Sequence, residues 1–177
     1  VGTLGSASMA LSLAGQPAQA MALSDRAWEI DSTLGTPITT SLLALVDGGQ
    51  RAEASRRAEV VLRTATRPQV LARATYVLGV AGERTRALTM ARQLTERFAG
   101  SDEGANSLGA AWFAVGDTGR ALPLLERAVA IPDYFVLSNL GLRMYDPVRA
   151  TPRFAAIVRK LGLDVALFTL PNGGRPR

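Results

Sequence analysis

Few residues in this chain could do covalent or metal chemistry, and their types narrow what that chemistry would be. The sequence holds no His and no Cys. The commonest general base, the commonest nitrogen ligand, thiol nucleophiles, zinc–thiolate sites and disulfides are all removed together. A serine nucleophile would have to rely on Lys160, the only lysine, because a Ser–His–acid triad is excluded and no Ser stands in Gly-x-Ser-x-Gly. Neither Gly-Lys-Ser/Thr nor Gly-x-Gly-x-x-Gly occurs, so there is no phosphate loop and no dinucleotide turn. Asp25, Glu29 and Asp31 form one acidic cluster that a hard cation could use, but nothing else oxygen-rich lies near them in sequence and a solvated helix end explains them. Asp146 precedes a proline, where its carboxylate would cap backbone amides in a turn. The reading is of a chain with no catalytic residue, no metal and no cofactor.

Charge offers a second kind of chemistry, phosphate binding. The net charge is +5, and it is uneven: residues 48–97 hold ten Arg against four acids, while the rest holds nine Arg and one Lys against eleven acids. A basic segment can mark a nucleic-acid or acidic-membrane surface. Nineteen Arg to one Lys also fits codon bias, with Arg as the default cation of a solvated surface. Arg51, Arg56, Arg57, Arg63, Arg67, Arg84, Arg86 and Arg92 fall mostly on outward helices and turns, with no aromatics interleaved for base stacking. No nucleic-acid partner is expected. Apolar runs such as Leu108–Val115 fall far short of the ~18 residues that span a bilayer.

The elements that would position any site repeat along the chain. Gly15, Gly49, Gly82 and Gly116 recur at spacings of 34, 33 and 34 residues, each followed five positions later by an alanine: Ala20, Ala54, Ala87 and Ala121. A fixed period of this length marks stacked repeats. Each unit reads as two amphipathic helices around a glycine turn. In the fourth unit Ser101 caps a helix carrying Leu108, Gly109, Trp112 and Val115 on one face. Gly116-Asp117-Thr118-Gly119 breaks it, a second helix carries Ala121, Leu122, Leu125, Ala128, Val129 and Ile131, and Pro132 stops it. The composition, rich in Ala and Leu with 6% aromatic residues, agrees with close-packed helices.

The pattern Leu108-Gly109-x2-Trp112, Ala121-x3-Leu125, Ala128 and Pro132 resembles the tetratricopeptide repeat. Leu4, Leu11, Gly15, Ala20 and Ala27 match it in the first unit. Ile38, Leu45, Gly49, Ala54, Ala58 and Val61 match in the second, and Leu71, Ala74, Leu78, Gly82, Ala87, Ala91 and Leu94 in the third. The resemblance implies an all-α superhelix of four repeats, about 1–34, 35–67, 68–100 and 101–133. A capping segment follows over 134–163, where Thr151 caps, Pro152 starts and Gly162 stops a helix with Phe154, Ile157, Val158 and Leu161 on one stripe. Residues 164–177 read as a loose tail. The block Tyr145-Asp146-Pro147-Val148-Arg149-x-x-Pro152-Arg153-Phe154 looks like the end of tetratricopeptide regions in large bacterial signalling proteins, among them serine/threonine protein kinases and adenylate cyclases.

By that resemblance the first helices line a concave groove that binds a protein or peptide. The groove would present Met9, Leu13, Thr39, Leu43, Val46, Asp47, Gln69, Tyr76, Glu103, Asn106 and Phe113. Leu43, Tyr76 and Phe113 are placed at matching levels of successive first helices. The near absence of basic residues speaks against a clamp for a C-terminal carboxylate and favours an apolar or helical peptide. Leu43 and Val46 could equally pack between repeats. Two functional classes stay open: the interaction domain of a larger signalling protein, and a sensory or oligomerisation domain of a transcription regulator with such repeats. The chain begins at Val1, inside a repeat, which predicts a piece of a longer polypeptide. Ala18-Gln19-Ala20 faintly resembles a signal-peptidase site, but no basic segment precedes it and these residues fit the repeat register. Partner, oligomeric state and compartment are left open, with the cytoplasm favoured.

Overall fold

The computed structural model describes residues 2–30, 35–98, 100–130 and 140–169. Asp31, the expected stop at Pro132, the run 134–137 and the tail beyond 169 lie outside them, as do the side chains of Leu13, Glu103 and Asn106. Among the described residues all regular structure is helical. Eight helices form four consecutive pairs: α1 (Gly2–Leu13) with α2 (Pro17–Ile30), α3 (Gly35–Asp47) with α4 (Arg51–Thr64), α5 (Pro68–Ala81) with α6 (Arg84–Phe98), and α7 (Asp102–Phe113) with α8 (Thr118–Ala128). A 3-10 turn (Arg143–Tyr145), α9 (Pro152–Lys160) and the short α10 (Ala166–Thr169) follow.

One hydrogen-bonded turn is built four times. Gly15, Gly49, Gly82 and Gly116 all have positive φ, between 73° and 114°, a region that only residues without Cβ enter freely. The amide after each glycine donates back five residues: Gln16 to Leu11, Gln50 to Leu45, Glu83 to Leu78 and Asp117 to Trp112, at 2.8–3.1 Å. The glycine amides themselves reach back three residues, to Ser12, Val46, Gly79 and Phe113. This pairing satisfies the carbonyls that a helix end leaves open. The same turn then starts the second helix, where the amides of Ala20, Ala54, Ala87 and Ala121 donate to Gln16, Gln50, Glu83 and Asp117.

The small residues after each turn explain how the helices approach. Ala20, Ala54, Ala87 and Ala121 are fully buried, and so are their successors one turn on, Ser24, Ala58, Ala91 and Leu125. The first helices pack one on the next, and each second helix touches the first helix of the following pair. Second helices share far less contact with one another, so they splay outward. Gly79 marks a close approach of α5 to the end of α7: a Cβ there would lie 2.3 Å from the carbonyl oxygen of Ala114. Trp112 is buried on α7, where its indole N–H donates to Thr95 of α6 at 2.9 Å and the Arg120 guanidinium of α8 lies 4.6 Å from its ring centre.

The C-terminal part departs from a simple end cap. Thr151 accepts from the Phe154 amide at 3.2 Å, and α9 buries Phe154, Ile157 and Val158, with Arg153 gripping Glu126 of α8 through two bonds of 2.8 Å. The stretch expected as a loose tail begins instead with α10, and Phe168 packs on the core. Residues 140–149 do not stay at the end of the stack. Leu142, Arg143 and Met144 reach back beside α3 and α5, and Tyr145 lies against Phe113 of α7.

Candidate functional site

Counting back from each glycine turn aligns the first helices. Met9, Leu43, Tyr76 and Ala110 stand six residues before their glycines, and Ser12, Val46, Gly79 and Phe113 three before. Phe113 therefore sits one helical turn beyond Leu43 and Tyr76, and the matching residue of the fourth pair is Ala110. The aromatic ladder expected from Leu43, Tyr76 and Phe113 is corrected on this count.

The face is open at one end and filled at the other. Met9, Leu43, Val46 and Tyr76 are half-buried. Phe113 is buried beneath the C-terminal chain: its ring meets Tyr145 edge-on, with centroids 5.5 Å apart, and Tyr145 in turn lies 6.0 Å from Phe154. Leu142, Arg143 and Met144 lie over Leu43, Asp47, Tyr76 and Val80, and the gap left among them is about 200 Å³. That is below the ~300 Å³ at which pockets for sizeable ligands begin. Arg143 reaches Asp47 at 3.3 Å. Asp47 also accepts from the Ser12 hydroxyl at 3.4 Å, so its carboxylate joins the first two pairs and the C-terminal turn.

Thr39 and Gln69 serve differently from the expectation. Thr39 is buried and accepts from Arg73 at 3.0 Å. Gln69 is half-buried, and among the described residues its Oε1 accepts no hydrogen bond. Arg73 is a buried cation in the middle of the face. Burial pulls its guanidinium down to about 10, with the Tyr145 hydroxyl opposing. It still carries its charge at neutral pH. Burial pushes the phenol of Tyr76 up to about 12; Asp47 and Asp146 add to this and Arg143 opposes it. Tyr145 is likewise pushed up to about 12 by burial, against Arg73 and Arg149.

A buried arginine shapes the returning chain. Arg149 is 1% exposed; its Nε donates to Asp146 at 2.6 Å, Nη2 to the Leu142 carbonyl at 2.8 Å and Nη1 to the Phe168 carbonyl at 3.0 Å. The Asp146 carboxylate, expected as a cap for backbone amides, thus holds a side chain. Sequence reasoning placed neither Arg73 nor residues 142–145 on this face. Arg73 lies three residues before Tyr76 and four after Gln69, a spacing that puts all three on one helix face and could have revealed it.

Part of the basic outer surface is paired with acids on neighbouring helices. Arg57 pairs with Asp25 of the previous pair, Arg86 with Glu59, and Arg153 with Glu126, so acids on one second helix meet arginines on the next outward helix. Splaying leaves crevices between these helices, one of about 520 Å³ beside Trp112, Arg120 and Pro123. The indole N–H there already has its partner in Thr95. Among the described residues no three acidic side chains converge as a metal site, and no helix is long and apolar enough to cross a membrane. Comparison with known proteins finds no matching family model, no matching curated protein and no matching solved structure.

Proposed function

We propose that this chain is a non-catalytic interaction module of the tetratricopeptide type, which takes a peptide or short helix on the face of its first helices, within a larger bacterial signalling protein. The fourfold glycine turn carries this reading, because it sets four helix pairs in one register and so presents one continuous surface made of α1, α3, α5 and α7. Such arrays use their extended inner surface for binding. Met9 supplies an apolar anchor at the open end of that surface, Leu43 and Tyr76 supply two more beside the returning chain, and Asp47 supplies a charge for orientation. The tetratricopeptide-like ending of such signalling proteins, residues 145–154, is also the block that shapes the returning chain here, through Arg149 and the Tyr145–Phe154 ring contact.

Selection of a displayed peptide library on the intact chain tests this. Leu43→Ala with Tyr76→Ala should weaken the selected peptides by ~10-fold or more, as loss of central anchors does. Reversing Arg56, Arg57 and Arg63 to Glu should change little, and affinity should respond weakly to salt. A steep fall with salt together with sensitivity to the Arg reversal would make the partner a polyanion on the outer surface and end this reading.

A further inference from the structure

The returning chain shows what the groove accepts. Residues 142–145 read Leu-Arg-Met-Tyr. Leu142 is 7% exposed, Met144 3% and Tyr145 6%. Arg143 remains largely exposed and extends its head group to Asp47. The two apolar side chains on either side of the arginine border the same gap as Leu43, Tyr76 and Val80. Ser12 and Arg51 also border the gap, and Asp47 is the acid among its lining residues, so the place beside Asp47 suits a cation flanked by apolar residues. Asp146 travels with the segment and is engaged by Arg149, so Asp47 is the acid that the groove itself contributes to Arg143.

The segment is also built as a separate piece. Arg149 ties Leu142, Asp146 and Phe168 to each other, all within the C-terminal chain. Its side chain spends its three hydrogen bonds inside this piece and none on α3 or α5. Among the described residues the polar link to the second helix pair is one partly exposed ion pair, Arg143 with Asp47, of a kind worth about 0.2–1 kcal/mol, and the rest of the attachment is the apolar burial of Leu142 and Met144 beside Leu43 and Tyr76. Shape is therefore held by polar bonds within the piece, while its hold on the groove is chiefly apolar, the kind of contact that a peptide with similar side chains can replace.

We propose that residues 140–149 are an occupant in cis of the first-helix groove, and that the external ligand is a peptide carrying an arginine between apolar residues, which competes with them for Asp47, Leu43 and Tyr76. This inference rests on the groove reading above and adds the ligand class and its control. An external peptide gains access only as the segment withdraws, and its apparent affinity is reduced by the fraction of molecules in which the segment is docked.

The probe is a fluorescent synthetic peptide of this chain's own residues 140–149, titrated into the full chain. A Leu142→Ser, Met144→Ser variant, whose segment is loosened, should bind it at least ~10-fold more tightly than the wild type, a difference of about 1.4 kcal/mol. Adding Asp47→Lys should remove the gain, and a peptide with Glu in place of the Arg143 equivalent should not bind. Amide hydrogen exchange on the wild type runs beside this, and the amides of 142–145 should open well below global unfolding. If they open only with α5 and α7, the segment is core and the inference falls, whether or not the loosened variant folds. Library peptides that still bind through Met9 and Leu43 would then leave the groove reading standing. If the segment opens but the freed groove takes no peptide, both readings fall.

Discussion

Arg143, on the 3-10 turn within the returning chain, meets Asp47 at the last position of α3 with 3.3 Å between nitrogen and oxygen. The pair joins the C-terminal segment to the second helix pair, across the faces of the third and fourth. Its strength is modest because the arginine is mostly exposed. Its value is positional: it fixes which apolar residues lie over Tyr76.

Trp112 should prove one of the costliest core positions. It is buried between α6 and α8 and satisfies its N–H through Thr95. Trp112→Ala should lose about 3–5 kcal/mol in urea melts, as other large-to-small core changes do. Trp112→Phe should lose less, since a ring still fills the wedge. A loss under ~1 kcal/mol for the alanine variant would contradict the packing described.

Two glycines separate backbone strain from crowding. At Gly49 a Cβ meets nothing within 4 Å, but φ is +79°, so Gly49→Ala should cost about 1–2 kcal/mol through conformation alone. Gly49→Asn should cost less, since Asn tolerates this region. Gly79 lies in α5 and a Cβ there would sit 2.3 Å from the Ala114 carbonyl oxygen. Gly79→Ala should therefore force α5 and α7 apart and cost more than Gly49→Ala in the same thermal melts. Equal costs would refute the close approach.

Arg149→Met should be strongly destabilising, about 3–5 kcal/mol, because it strands the Asp146 carboxylate and two carbonyls. Arg149→Lys should fail to rescue, since one ammonium lacks the planar fork that serves three acceptors in different directions. Near-native stability for the lysine variant would show that charge, and not geometry, organises the segment.

Alkaline stability should carry the signature of the buried phenols. Tyr145 and Tyr76 keep their protons up to about 12, whereas in the unfolded chain they release them near 10. Between those values the unfolded state binds fewer protons, so stability falls as pH rises, by at most ~1.4 kcal/mol per unit and group. Arg73, pulled down to about 10 by burial, works in the opposite sense over the same window and offsets about one of the two. Tyr145→Phe should flatten the decline measured by urea titration from pH 9.5 to 12. An unchanged slope would mean that the phenol is not enclosed in the folded protein.

The helix pairs were legible in the sequence because glycine at positive φ and alanine at closest approach have no substitutes, so both recur at fixed spacing. Ser101 and Thr151 could be read as caps for the same local reason, and each does accept an amide hydrogen bond. The groove was only half legible. Leu43 and Tyr76 follow from helix geometry, but the burial of Phe113 depends on Tyr145, far along the chain in a segment with no helical period. The role of Arg149 was equally hidden. Its three acceptors are a side chain three residues away and two carbonyls brought together by folding, and no spacing rule announces them.

A row of helix pairs that touch only their neighbours would fray from its ends one pair at a time. The returning chain changes that. By reaching from the fourth pair back to Asp47 it makes the second, third and fourth pairs share one closure. The first pair, α1 and α2, lies outside that closure and is held by its packing on α3, the Asp25–Arg57 ion pair and the Ser12–Asp47 hydrogen bond. Among the helix pairs, unfolding should thus begin with the first. Complete refolding should include the long-range arrival of residues 140–149 as a late step, one that a purely local helical array would not have to make.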